Sequence, residues 1–223
     1  MASSSSVAHD SVAYWYFRLN GFFQFENFVV HPEKKRDGQR TEADILGVRF
    51  PFRAERLIDE PRNVMKDDEK LGLSQNKIEV VIAEVKRNEP CKLNGPWTDK
   101  SRKKIQRVLA AMGCLHHDRL EIAAEDLYTV GVHESDTLLR IRLIAIGREV
   151  NRDPNTMLPQ VTQLVWNDIL AFIWRRFKQY EGQKRDVNQW NEPGKRIRHL
   201  ADDSTDEDTF VVEAMKCMGV NPP

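Results

Sequence analysis

Four stretches of the chain gather β-branched and aromatic residues into the short, turn-bounded runs expected of strands. They are 21–31 (GFFQFENFVVH), 41–50 (TEADILGVRF), 78–87 (IEVVIAEVKR) and 137–147 (TLLRIRLIAIG). The third is the strongest, with apolar residues on both faces over most of its length and Glu84 and Lys86 at its C-terminal end. Helical spacing fills the intervals. Residues 11–20 (SVAYWYFRLN) predict a short helix from a Ser11 cap to a stop at Gly21, and 98–112 predicts a helix capped by Thr98 or Asp99. Residues 120–128 (LEIAAEDLY) predict another. The stretch from Pro159 to about Tyr180 opens with proline and is apolar nearly all round, the pattern of a central buried helix.

The rest is polar. Residues 3–10 form a small, polar lead-in, 32–40 a charged loop around Asp37-Gly38, and 51–76 a polar excursion with MKDDEK in its middle. The run 201–210 (ADDSTDEDTF) is an acidic stretch expected to be mobile. The order helix, strands, helix, strand, helix predicts an α/β fold, a mixed β-sheet flanked by helices with a helical C-terminal extension. The corresponding division is a flexible 1–10, a core at 11–150 with an insertion at 51–76, an extension at 151–200 and an acidic tail at 201–223.

Composition changes this picture little. The 223 residues carry 34 basic and 34 acidic side chains, so nucleic-acid binding would have to rest on local clusters of charge. Cys91, Cys114 and Cys217 are isolated, with no Cys-x-x-Cys pair, as in a reducing compartment. The first residues lack the basic-then-apolar layout of a secretory signal, and no segment is apolar enough to cross a membrane. A cytoplasmic location is the expectation. Gly-rich phosphate loops and a Gly-x-Ser-x-Gly elbow are missing, and His116-His117 reads as a turn rather than a ligand pair.

Chemistry concentrates at the end of the third strand. Period two puts Glu84 and Lys86 on one face, and Asp44 shares a face with Glu42 on the strand before. If those strands are neighbours, several carboxylates and an ammonium converge. Hard oxygen ligands around an open position suit Mg²⁺ or Mn²⁺, and a nearby lysine can serve a water or a scissile phosphate. A solvated edge strand with an ordinary ion pair would show the same alternation.

The succession LNGFFQFEN, RTEADILGV and VVIAEVKRN resembles the PD-(D/E)XK nuclease superfamily, of restriction-endonuclease-like fold. It is nearest in pattern to the small nucleases akin to Holliday-junction resolvases. The resemblance covers residues 10–88. It implies a metal-dependent endonuclease acting on DNA, with Asp44, Glu84 and Lys86 catalytic. Asp44, Glu84 and the Val85 carbonyl would hold Mg²⁺ or Mn²⁺, with Glu42 as an auxiliary ligand and Asp10 as a candidate for the upstream helical acid. Thr41 replaces the family's glycine before Glu-x-Asp, and the 51–76 insertion lengthens the gap between the two motif strands.

Two basic clusters are candidates for phosphate contact. Lys100, Lys103, Lys104 and Arg107 would share one face of a 98–112 helix, the alternative being a solvated surface. Between Arg175 and Arg198 eight basic residues face three acidic ones; Arg175, Arg176, Lys184, Arg185 and Trp190 are the candidates there. The expected partners are therefore nucleic acid, with a protein partner or a second copy, and no membrane. One competing reading keeps a nuclease-like fold as a binding or regulatory subunit that needs a partner for activity. Another makes the protein an assembly component whose Glu84–Lys86 pair is only structural.

Overall fold

A computed structural model of the chain describes residues 6–30, 41–56, 60, 62–134 and 138–221. The predicted loop at 32–40 lies outside the described residues. In chain order the first elements are α1 (His9–Leu19), β1 (Phe23–Val30), β2 (Thr41–Arg49), β3 (Ile78–Val85), α2 (Gly95–Thr98) and α3 (Lys104–Met112). There follow α4 (Leu120–Thr129), β4 (Val132–Glu134), β5 (Leu139–Gly147), β6 (Thr162–Val165), α5 (Trp166–Gln179), α6 (Glu192–Asp203) and α7 (Glu207–Met218).

The all-apolar run from Val80 to Ala83 goes where both faces of a strand can be buried, at the centre of a mixed six-stranded sheet. β2 pairs with β3 antiparallel on one side and β5 pairs with it parallel on the other. β1 continues the meander beyond β2 and forms an edge. The far side of β5 is shared by β4, antiparallel, and β6, parallel. One face of the sheet packs Val81 and Ile144 against α1, α5, α6 and α7, through Tyr16, Trp166, Phe177 and Phe210. The other packs Leu46, Ile82 and Ile141 under α2 to α4, through Trp97, Leu109 and Leu127.

The four predicted strands are present, and the neighbouring of β2 and β3 that the chemistry required is observed. Several helical expectations are corrected. The helix expected at 98–112 is three pieces: α2, a 3₁₀ turn at Lys100–Arg102 capped by Asp99, and α3. Lys103 breaks it with a left-handed backbone (φ 50°). The apolar stretch after Pro159 begins as β6, and only from Trp166 onward does it become α5. α1 starts at His9, so Ser11 lies inside it rather than capping it.

The acidic run at 201–210 is not mobile chain. It ends α6 and caps α7, where the Asp206 carboxylate accepts the Thr209 N–H at 2.8 Å. The polar 51–76 segment is tied down at its second half. Arg49 and Arg53 grip Asp67, and Asp68 accepts the Tyr16 hydroxyl at 2.8 Å.

Two charged residues of β3 sit at opposite ends of the sheet. Glu79, fully buried, is neutralised by Arg140 and Arg142 from β5, with Arg142 Nε at 3.1 Å. That end is a closed ion cluster. At the other end the chain leaves β3 through a turn pressed against Gly147. A methyl group there would lie 2.5 Å from the Cys91 nitrogen, so only glycine lets the 89–91 turn fold back and carry Asn94 and Trp97 to the strand end.

Candidate functional site

β2 and β3 stop pairing at Ile45↔Ala83, although β1 and β2 stay paired as far as Val30↔Thr41. At the point of separation the Asp44 carboxylate replaces a backbone acceptor: its Oδ2 takes the Val85 N–H at 2.7 Å. On β1, Asn27 stands at the matching position between Glu26↔Ile45 and Phe28↔Ala43, in a left-handed conformation (φ 51°). The fork so formed has Asp44 on one prong, with Glu84 and Lys86 on the other.

Glu84 is only 3% exposed, and its carboxylate is satisfied by three donors. Lys86 Nζ reaches Oε1 at 2.5 Å and Trp97 Nε1 donates to Oε2 at 2.6 Å, while the Asn94 amide donates to Oε1. A buried carboxylate held this way has a fixed orientation. Asp44 is less well compensated. Burial raises its pKa from the ordinary 3.8 to about 6, and the Glu84 and Asp10 carboxylates push it in the same direction. The Val85 N–H and Lys86 oppose that rise without cancelling it.

Helix α1 supplies two more groups. Asp10 lies in its first turn rather than in a loose terminus, and His9 beside it approaches Asp10 at 3.3 Å. The His9 ring meets Trp166 edge-on, and Trp166 Nε1 donates to the carbonyls of Lys86 (2.9 Å) and Arg87 (3.1 Å). Partial burial lowers the His9 pKa; Asp10 acts against that, and Arg87 and Lys86 reinforce it. Glu26 of β1 also belongs here: desolvation and then Asp10 raise its pKa.

Asp44, Glu84, Lys86 and Asp10, all named from the sequence, are therefore brought together. Val85 contributes its N–H to Asp44. Glu42 is exposed opposite Val29, and the carboxylates that raise Asp44 are Glu84 and Asp10 rather than Glu42. Sequence reasoning missed His9, Glu26, Asn94 and Trp97. Of these, Asn94 and Trp97 lie in NGPW (residues 94–97), where Asn94 precedes α2 and proline stands in its first turn, a helix-start pattern the sequence does carry. His9 and Glu26 give no signal before the fold is known.

The basic clusters are partly absorbed by the fold. Lys104 is buried at the start of α3 and Lys100 pairs with Glu125, so the expected continuous stripe does not form; Lys103 is exposed at the break, and Arg107 is half-buried. In the second cluster Arg176 is buried, its guanidinium over Phe172 and Tyr180 and bonded to the Lys66 carbonyl. Lys184 pairs with Glu55 at 2.8 Å, and Trp190 packs on Trp15, ring centres 4.4 Å apart. Arg175 and Arg185 remain exposed. The Cys91 thiol, buried and pushed up to about 12, is no nucleophile.

Among the described residues, no three His, Cys, Asp or Glu side chains stand close enough to cage a metal ion. What the fork offers is two neighbouring carboxylates, Asp44 with one oxygen engaged by the Val85 N–H and Glu84 held by three donors, so that a divalent ion bound there would take the place of Lys86 or Asn94 on Glu84. Among the described residues no helix is long and apolar enough to cross a membrane. No protein-family model matches the chain, and comparison with curated proteins and with solved structures gives no match.

Proposed function

We propose that the protein is a metal-dependent nuclease with a restriction-endonuclease-like core, hydrolysing phosphodiester bonds in DNA. The observation that carries this reading is the crowding at the fork. Asp44 is held at a pKa of about 6 by burial and by its neighbours Glu84 and Asp10, a concentration of negative charge that a divalent cation would relieve. The central position of the Glu-x-Lys strand and the adjacency of β2 support the same reading.

In this scheme Asp44 and Glu84 would hold Mg²⁺ or Mn²⁺, with the Val85 carbonyl at the same strand end. The ion, when bound, supplies Lewis acidity toward a phosphate oxygen and lowers the pKa of a water. Trp97 and Asn94 fix the Glu84 carboxylate in one orientation. Lys86, already at 2.5 Å from Glu84, sets its Nζ beside the place where negative charge would develop on the phosphate.

A second reading, a nuclease-like subunit dependent on a partner, draws support from the engagement of Lys104, Arg176 and Lys184 within the fold, which breaks up both basic clusters that would otherwise grip DNA.

The test is cleavage of supercoiled plasmid, linear duplex, four-way junction, single-stranded DNA and RNA in Mg²⁺, Mn²⁺ or EDTA, with wild type beside Glu84→Gln and Lys86→Ala. Metal-dependent cutting that falls by at least about 100-fold in both variants is the expected result. Salt-dependent DNA binding by a folded wild type that cuts nothing would replace the first reading with the second.

A further inference from the structure

Helices α1, α5, α6 and α7 pack together on one face of the sheet without closing completely against each other. Between them lies a cavity of about 260 Å³, walled by Val12 of α1, Leu170 of α5, Ile197 of α6 and Met218 of α7. These four side chains are buried. Protein interiors are close-packed, with few spaces larger than a water molecule, so an apolar cavity of this size needs a reason. Its mouth is polar. Arg196, His199 and Asp203 follow one another along α6 at helical spacing, the first half-buried and the other two exposed.

We infer that this cavity binds a small apolar carboxylic acid, its hydrocarbon part between the helices and its carboxylate on Arg196. The charge pattern of α6 picks out that residue. Lys195 and Arg198 are each paired within the helix, with Glu192 at 2.8 Å and Asp202 at 2.9 Å. Arg196 has no ion-pair partner among the described residues, yet it is half-buried beside apolar side chains, where a carboxylate is the natural complement of a guanidinium. Asp203 sets the polarity of the site. Seven residues on, it stands about 10 Å further along the helix, so an anion is drawn to the Arg196 end and repelled from the other.

The volume sets the size of the acid. An apolar cavity of about 150 Å³ takes benzene, with its six carbons, so 260 Å³ corresponds to about ten non-hydrogen atoms. Octanoate and phenylacetate are of that size. A nucleotide would bury a sugar and a base edge among side chains that offer them no hydrogen bond. An apolar wall with a few polar groups at one end is the ordinary construction of a small-molecule site. Cys217 also lines the cavity, half-buried, and its carbonyl takes the Val7 N–H at 3.1 Å, which fastens the chain ahead of α1 to α7 at that wall. The inference does not depend on the nuclease assignment.

Isothermal titration calorimetry of the full chain with octanoate, and with octanol as the uncharged analogue of equal length, decides the matter. Octanoate should bind at least about 10-fold more tightly than octanol, as expected of hydrogen bonds between charged groups. Arg196→Gln should remove that preference, and Ala214→Phe, which puts a ring into the cavity, should abolish binding of both. Ala214 is buried, so Arg196→Gln, at the half-buried mouth, is the deciding variant if Ala214→Phe fails to fold. Octanoate should also slow the alkylation of Cys217 by N-ethylmaleimide, read by peptide mass spectrometry, and leave Cys114 unchanged. No heat of binding below the concentration at which octanoate self-associates, equal affinity for octanoate and octanol, or a preference that survives Arg196→Gln overturns the proposal. Binding that leaves Cys217 unprotected also overturns it, because the acid would then sit elsewhere.

Discussion

Asp44→Asn should make the protein more stable above pH 6, an unusual result for deleting a charge from a candidate active site. The folded-state pKa of about 6 lies above the ordinary 3.8, so the folded chain holds this proton more tightly than the unfolded one. The stability contributed by Asp44 is therefore fully present below pH 3.8, falls as pH rises, and is lost above 6. The difference corresponds at about 1.4 kcal/mol per pH unit to about 3 kcal/mol, which the partial solvent access of this side chain reduces to about 1–2 kcal/mol. Asparagine keeps the shape and an oxygen for the Val85 N–H, so little else should change. For a chain of this size the gain appears as a rise of about 2–8 °C in melting temperature at pH 8, and almost none at pH 4. Melts in EDTA at both pH values measure it. Titrating Mg²⁺ should then raise the wild-type midpoint while leaving the variant unmoved, because an ion that binds only the folded state stabilises it by mass action. An Asp44→Asn variant that melts at or below wild type at pH 8 in EDTA, or a shift equal at the two pH values, would refute the idea that the fork stores uncompensated charge.

Two further substitutions separate the ends of β3. Trp97→Phe removes the indole donor to Glu84 and keeps the ring; loss of one hydrogen bond to a buried carboxylate should cost about 2 kcal/mol in urea unfolding, with a larger relative loss in any metal-dependent activity. Glu79→Gln, at the other end, leaves two arginines without their charge partner. It should destabilise by about 3–5 kcal/mol, with a deficit that Mg²⁺ does not alter.

How far these features were legible in the sequence depends on which forces set them. The β1–β2–β3 meander and β5 could be read because each strand carries its burial pattern in its own residues. The pairing of Asp44 with Glu84 followed once β2 and β3 were taken as neighbours. The errors fall where local pattern is ambiguous or where a distant contact decides. TQLV ahead of Trp166 is apolar enough to continue a helix, and becomes a strand because the free edge of β5 is there to pair with it. Lys103 has no local reason to adopt a left-handed backbone; the hydrogen bond from the Ile105 N–H to the Tyr128 hydroxyl (3.1 Å) fixes the start of α3 from another helix. The acidic run before α7 was misread because its composition resembles a solvated tail, although Asp206 followed by Thr209 is a cap in its own right. His9 and Glu26 join the site only through the packing of α1 across the sheet, which no spacing in the sequence reveals.

The strand end that carries Glu84 and Lys86 is laced to chain made much later. Trp166 holds the carbonyls of residues 86 and 87, the Asn88 side chain bonds Gly219 and Asn221, and Val7, just before α1, donates to the Cys217 carbonyl at 3.1 Å. On the ribosome the carboxylates are thus synthesised early but framed last, since contacts of such sequence separation close only when their distant partner has emerged. A chain interrupted before residue 217 would contain Asp44, Glu84 and Lys86 without the tethers that hold their strand end. Translation thereby sets an order of assembly: the contacts among residues 44–97 can close first, and the tethers from Trp166, Gly219 and Asn221 fasten their strand end last.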